Sequence, residues 1–294
     1  MLIKEELESY TFSQAEAVAV RYIIDHVEQL EKISIQALAK ETFTQPSTIV
    51  RIAKKLGFKG WVDFKHAYLE EHRYLTTQFT KVDSNIPFKA KDNVMTLAAK
   101  IASLEKSTID DLISLLHHDD LSQAKQILNT NKTIYLFGQN ANILLAQDFA
   151  LKMRRLGKLI HIVTTAGEEK YEAYNIPQDS VAILISTSGE TPMILEINEI
   201  LAKRKIKRIG ITSIGNNTLS QSVDFFLPIT TREKLFSKIG NFTTNISIHV
   251  LLDILYGLAF SSAYDENLNH LKTSGQLIDQ RFSATELMEE EKED

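Results

Sequence analysis

"LISTSGETP" (residues 184–192) runs from an apolar stretch straight into four hydroxyl side chains, Ser186, Thr187, Ser188 and Thr191, gathered around Gly189. With the residues before it, the apolar part is "VAILIS" (181–186). It is short and carries no polar alternation, the pattern of a strand covered on both faces. "MILEINEILAKRK" follows with helical spacing, so the hydroxyls sit in a strand-to-helix loop. Four further runs have the same character: "TIYLFG" (133–138), "LIHIVT" (159–164), "RIGITS" (208–213) and "DFFLPI" (224–229). Helical segments such as "ANILLAQDFALKMRRLG" stand between most of them. This alternation predicts an α/β, Rossmann-like domain built on a five-stranded, mainly parallel sheet. A last helix, "TTNISIHVLLDILYGLAF", is apolar almost all round and is expected in the core or in a dimer interface.

Ligands of open parallel sheets bind beyond the carboxyl ends of the strands, where loops enter helix N-termini. Two loops qualify, "FGQNAN" (137–142) and "STSGET" (186–191). Unpaired backbone N–H groups, the positive end of the helix dipole and clustered hydroxyls suit an anion, and a phosphate is the expected guest. One hydroxyl here would be an ordinary helix cap, but four exceed what a cap requires. The loop lacks the lysine of a nucleotide-phosphate loop, and "FGQNAN" is not a dinucleotide fingerprint.

The amino-terminal part is helical throughout. Ser13 stands three residues before Glu16, the spacing of a capping box, with Phe12 placed as a hydrophobic staple. A short helix begins at Ser34, and another begins near "TQPS", where Thr44 or Gln45 can cap, and ends at Gly57. In that helix Ile49, Ile52, Ala53 and Leu56 form an apolar stripe, which assigns Ser47, Thr48, Arg51, Lys54 and Lys55 to the outer face. Small hydroxyls followed by basic residues suit a recognition helix entering the DNA major groove; a merely solvated basic face is the alternative. Between positions 40 and 65, Lys40, Arg51, Lys54, Lys55, Lys59 and Lys65 face only Glu41 and Asp63. That local surplus runs against the net charge of −5 for all 294 residues.

The chain has no cysteine, which fits a reducing, cytoplasmic setting and excludes thiolate metal sites. No segment reads as a signal peptide or membrane span, and no metal or cofactor is expected. The expected organisation is a DNA-binding domain over 1–78, a linker and connecting helix over 79–106, the α/β domain over 107–265 and a polar, acidic tail over 266–294.

"SIQALAKETFTQPSTIVRIAKKLGFKGWVDFK" (34–65) resembles the helix-turn-helix domain of RpiR-type bacterial transcriptional regulators, above all at Thr48, Arg51 and "KKLGFKG" (54–60). "YLFG", "LKMRRLG", "ISTSGET", "IGITS" and "LLDILYGLA" resemble, in order, the sugar isomerase (SIS) domain of the same regulators. The resemblance implies an all-α helix-turn-helix domain joined to an α/β SIS domain. It implies a double-stranded DNA operator contacted by Gln45, Ser47, Thr48, Arg51, Lys54, Lys55 and Lys59, and a homodimer or dimer of dimers. It also implies a phosphorylated sugar held by Gly138, Asn140, Asn142, Ser186, Thr187, Ser188, Gly189, Glu190 and Thr191. In "FGQNAN", Asn140 replaces the family's second glycine and Asn142 its serine; Gln45 replaces the usual serine cap, a role Thr44 is placed to take over. SIS domains also occur in phosphosugar isomerases, for which Glu190, Glu233 and His249 are the candidate bases. The attached helix-turn-helix favours a non-enzymatic sensor. A third reading is a DNA-binding protein whose SIS domain only dimerises.

Overall fold

The computed structural model describes residues 2–76, 81–279 and 281. Five helices open the chain: α1 (Ile3–Ser9), α2 (Gln14–Asp25), α3 (Ile35–Glu41), α4 (Pro46–Lys55) and α5 (Trp61–Thr76). They enclose one core of Leu7, Ile23, Leu30, Leu38, Ile49, Ile52 and Phe64. The capping box forms, with Glu16 reaching back to the Ser13 backbone N–H at 2.9 Å. Ser34 Oγ accepts from the Ala37 N–H and starts α3. The stripe Ile49, Ile52, Ala53 and Leu56 is buried as its spacing predicts.

The long helix α6 (Val94–Leu115) follows, then α7 (His118–Thr130), and the α/β part begins. Its elements are β1 (Thr133–Phe137), α8 (Ala141–Arg155), β2 (Leu159–Ile162), α9 (Glu169–Asn175), β3 (Ser180–Ile185), α10 (Pro192–Lys203), β4 (Lys207–Ser213), α11 (Thr218–Ser222), β5 (Phe225–Ile229), α12 (Phe242–Phe260) and α13 (Tyr264–Ile278). Position 106, the expected end of the linker, lies inside α6, which runs unbroken across it. The segment expected as a tail from 266 begins within α13; its acidic end "ELMEEEKED" and residues 77–80 lie outside the described residues.

Every pairing in the sheet is parallel, and the strand order is β2-β1-β3-β4-β5. Side chains alternate across it. Ile134, Leu136, Val181, Ile183 and Ile185 pack towards α7, α8 and α12, while Tyr135, Phe137, Ala182 and Leu184 pack towards α9 and α10. Each fully buried Ile or Leu contributes about 2 kcal/mol, so the two-sided burial that made these runs legible also holds the sheet in register.

α12 turns Ile248, Leu251, Leu252 and Leu255 into the core. The segment Phe242–Ile278 is long and apolar enough to cross a membrane by length and composition alone, a property that core helices share. Its other side, with Tyr256 and Leu258, is only half-covered and lies beside α8.

Candidate DNA-facing surface and ligand cradle

The order 2-1-3-4-5 places a topological switch point between β1 and β3, and the loops after these two strands are the expected ones. They approach each other: Asn142 Nδ2 donates to the Ile185 carbonyl oxygen at 3.4 Å, and a β-carbon on buried Gly138 would stand 3.6 Å from the same oxygen. Asn140 adopts φ +52° and ψ −126°, the positive φ expected of a residue standing in for glycine. That ψ lies outside the left-handed helical well an asparagine tolerates, so the turn is strained.

The hydroxyls of the second loop divide into two kinds. Ser186 is buried, and its Oγ lies 2.8 Å from Thr191 Oγ1, so these two satisfy each other and hold the loop closed. Thr187 and Ser188 are half-exposed, and their backbone N–H groups meet no acceptor among the described residues. Ser188 Oγ accepts from the Glu190 N–H at 3.2 Å. Thr191 ends the loop as the residue before α10, with Pro192 in the first turn. The resulting concavity gathers free N–H groups and hydroxyls at a helix N-terminus, the donor set that suits an anion.

Gly189 has φ +71°, and a β-carbon there would stand 1.9 Å from Asn217 Oδ1. The loop therefore lies directly on the β4–α11 connection. Glu190 does not face the cradle: its carboxylate accepts from the Thr218 N–H and Oγ1, both at 2.8 Å, and caps α11. Glu233 is spent in the same way on α12, accepting from the Thr243 and Thr244 N–H groups and Thr244 Oγ1, with Lys238 Nζ at 3.1 Å. Its side chain is 1% exposed. His249, the third candidate base, is 40% exposed on α12 beside Asp253. Asp148, His249 and Asp253 cluster closely enough to share a cation, but the Lys152 ammonium reaches Asp148 at 2.6 Å and Asp253 at 2.5 Å. A lysine of this chain is the cation there.

On α4 and its flanks, Gln45, Ser47, Arg51, Lys54, Lys55 and Lys59 lie at the surface. Thr48 does not: it is 8% exposed, because it stands four residues before the buried Ile52 and so shares that side of the helix. Gln45 occupies the N-cap position without a side-chain hydrogen bond, and Thr44 Oγ1 pairs with Thr42 Oγ1 at 2.9 Å. Neither side chain caps the helix; Pro46 supplies the helical start. Arg51 Nε and Lys55 Nζ both donate to the buried carboxylate of Glu16, at 2.8 and 2.7 Å. The Lys55 bond holds the Glu16 carboxyl far below the usual carboxylate range, opposed by burial and reinforced by Arg51 and Ser13. Arg51 keeps 57% of its side chain exposed, with only Nε engaged. Lys54 and Lys59 carry ammonium groups that meet no carboxylate among the described residues.

A clasp that sequence reasoning missed joins the two halves. Tyr74 Oη donates to Asp111 Oδ2 at 3.0 Å and accepts from the Thr231 N–H at 2.8 Å. Arg232 bonds Asp111 Oδ1 at 2.6 Å and the Tyr74 carbonyl at 3.0 Å, its guanidinium 4.0 Å from the Tyr74 ring centre. Burial, with the Asp111 charge, pushes the Tyr74 hydroxyl well above the usual phenol range. A second link runs from Asn216 Nδ2 to Glu6 Oε1 at 2.8 Å. Between the two links lies a cavity of about 600 Å³, lined by Glu70, Tyr74, His117, Asp120, Asn216 and Phe226 among others. No local signal identifies partners so far apart in the chain.

Comparison with known proteins bears on both halves. Residues 1–73 match the helix-turn-helix domain of the rpiR family, and residues 127–256 match the SIS domain. The chain is an RpiR-type protein, a helix-turn-helix domain followed by a SIS domain. Across 277 residues this RpiR-type chain is 27% identical to an uncharacterized HTH-type transcriptional regulator of Caldanaerobacter subterraneus subsp. tengcongensis, covering 93% of this chain and 95% of that one. A second such regulator, from Clostridium perfringens, is 25% identical over 95% of this chain and 99% of its own length. The Vibrio vulnificus NanR protein, solved in complex with ManNAc-6P, shares the fold with a TM-score of 0.57 at 20% identity, over 94% of this chain and 97% of its own.

Proposed function

We propose that this chain is a transcriptional regulator of sugar or amino-sugar metabolism that binds operator DNA through α4 and a phosphorylated sugar at the loops after β1 and β3. The observation that carries this reading is the free pair of N–H groups at Thr187 and Ser188, set at the switch point of a parallel sheet and tied through one chain to an exposed basic helix. NanR, of the same fold, was solved with a phosphorylated amino sugar, which supports that ligand class. Gly138, Asn140 and Asn142 form one wall of the cradle, and Ser186 to Thr191 the other. Gln45, Ser47, Arg51, Lys54, Lys55 and Lys59 meet DNA, with Arg51 steadied by Glu16 for base contact.

An isomerase needs a free acid/base pair at the ligand. Both acidic candidates cap helices instead, which supports a sensor without catalysis. The half-exposed sides of α8 and α12, with Leu144 67% and Leu151 57% exposed, support a homodimer that presents two α4 helices to a roughly palindromic operator. Signal passes along the chain's own contacts. The cradle loop holds Thr218 through Glu190, the adjoining Asn216 holds Glu6 of α1, and Glu71 of α5 accepts the Ile3 and Lys4 N–H groups. A ligand that prefers one position of the cradle loop thereby biases the placement of the DNA-binding helices.

The test is a thermal-shift screen with phosphorylated sugars and amino sugars, followed by operator binding with and without the hit. The expected result is a raised melting temperature with one sugar phosphate and a changed operator affinity in its presence. A hit that is turned over would establish the isomerase reading, and a panel without any shift would leave a domain that only dimerises.

A further inference from the structure

Four helices end in the same hydrogen-bonded cap, in which the third residue past the helix reaches back with its N–H to the carbonyl five residues earlier and the residue just before it takes a positive φ. At α4 and α8 that positive-φ residue is Gly57 (φ +85°) and Gly157 (φ +75°). At α10 it is Lys205 (φ +59°), a side chain at ease in water. At α3 it is Phe43, with φ +51°, the Thr44 N–H bonded to the Ala39 carbonyl at 2.8 Å and the Phe43 N–H to Lys40 at 3.2 Å.

Phe43 is 97% exposed. Its backbone conformation disfavours a bulky side chain, and its ring gains no packing in exchange. Neither the cap nor the core accounts for an aromatic residue here. Its neighbours do supply a context: Lys40 precedes it, and Gln45 and Ser47, both exposed, follow it at the N-terminal end of α4. The ring thus stands at the tip of the helix-turn-helix, on the edge of the surface with surplus positive charge.

We infer that Phe43 is an apolar contact to duplex DNA, seated on the C–H surface of the nucleic acid beside the entry point of α4. That surface is either a thymine methyl group in the major groove or the face of a deoxyribose. The turn fixes the direction in which the Cα–Cβ bond leaves the chain, so docking asks for no change of backbone. The inference rests on the reading of α4 as the helix that enters DNA.

The experiment uses the full chain and a duplex enriched from a random-sequence library by the wild-type protein. Phe43→Gly suits the φ of the turn, so it is expected to melt at or above the wild-type temperature while its affinity for that duplex falls at least tenfold. Phe43→Leu is expected to lose only part of that affinity. Replacing thymines by uracils in the duplex separates the two surfaces: a loss for wild type that Phe43→Gly does not share identifies the methyl group, and equal binding identifies the sugar. Affinity of Phe43→Gly within twofold of wild type overturns the inference while leaving the DNA-binding reading intact. Loss of affinity together with a changed sedimentation mass also overturns it, since the ring would then join two copies of the chain. Failure of the wild type to enrich any duplex defeats both.

Discussion

The outer face of α4 and the loop after β3 both gather polar side chains, yet they leave them in opposite states. On α4 the chain has already paired part of its own charge: Glu16, almost wholly buried, holds Arg51 and Lys55 in place. At the cradle the chain has paired Ser186 with Thr191 and left the Thr187 and Ser188 N–H groups unmet. The first surface is organised by an internal counter-charge, with Arg51 keeping the rest of its guanidinium uncommitted. The second keeps its donors open, as the proposed anion site requires. A groove in duplex DNA is long and accepts a rigid face, whereas a single phosphate must be surrounded by donors that nothing else occupies.

Removing the two hydroxyls that flank the open N–H groups should have the largest effect. The double variant Thr187→Val with Ser188→Ala is expected to weaken binding of the sugar phosphate found by thermal shift by about 4 kcal/mol, at about 2 kcal/mol for each hydrogen bond to a charged group. Titration calorimetry reads this, and the melting temperature without ligand should stay close to wild type. If the hydroxyls were only caps, the unliganded protein would lose stability instead.

Next comes the internal counter-charge. Glu16→Gln leaves Lys55 and Arg51 without their partner and is expected to cost about 3 kcal/mol in denaturant unfolding at pH 7. The folded-state carboxyl lies far below its ordinary value of 4.5. The stabilisation from this group is therefore complete above that pH and is lost as pH falls below it towards the folded value. Wild type and Glu16→Gln should accordingly converge in stability on acidification, which parallel urea titrations at stepped pH would show.

Arg51→Ala is expected to weaken specific operator binding by about 2 kcal/mol, measured by fluorescence anisotropy. Its effect on stability should be small, because its side chain is more than half exposed. Unchanged operator affinity would reduce Arg51 to a brace for Glu16 and blur the contrast between the two surfaces. The smallest effect is a gain: Asn140→Gly should raise stability by about 1 kcal/mol by relieving the turn at φ +52°.

The parts that were legible in the sequence are those that repeat. Strands buried on both faces show as unbroken apolar runs, and the stripe Ile49, Ile52, Ala53 and Leu56 shows as helical spacing. The cradle was legible as a loop, because strand, Gly189, hydroxyls and Pro192 follow one another in the chain. Which hydroxyls stay available was not, since the Ser186–Thr191 bond depends on the path of the loop. Glu16 was readable as a local cap, but its hold on Arg51, 35 residues away, was not. Glu190 and Glu233 look like candidate bases in sequence, and only the arrival of α11 and α12 at their carboxylates shows otherwise. The clasp of Tyr74, Asp111 and Arg232 draws on three elements with no shared spacing.

Gly189 and Asn140 also set how this chain can change. Any side chain at 189 collides with Asn217, whose side-chain Oδ1 accepts the Ser220 N–H, so that position is closed unless 217 changes with it. Asn140 is exposed and already tolerates a residue larger than glycine. Selection for a new sugar preference would find one wall of the cradle fixed and the other free to vary, and altered specificity should accumulate on the β1 side.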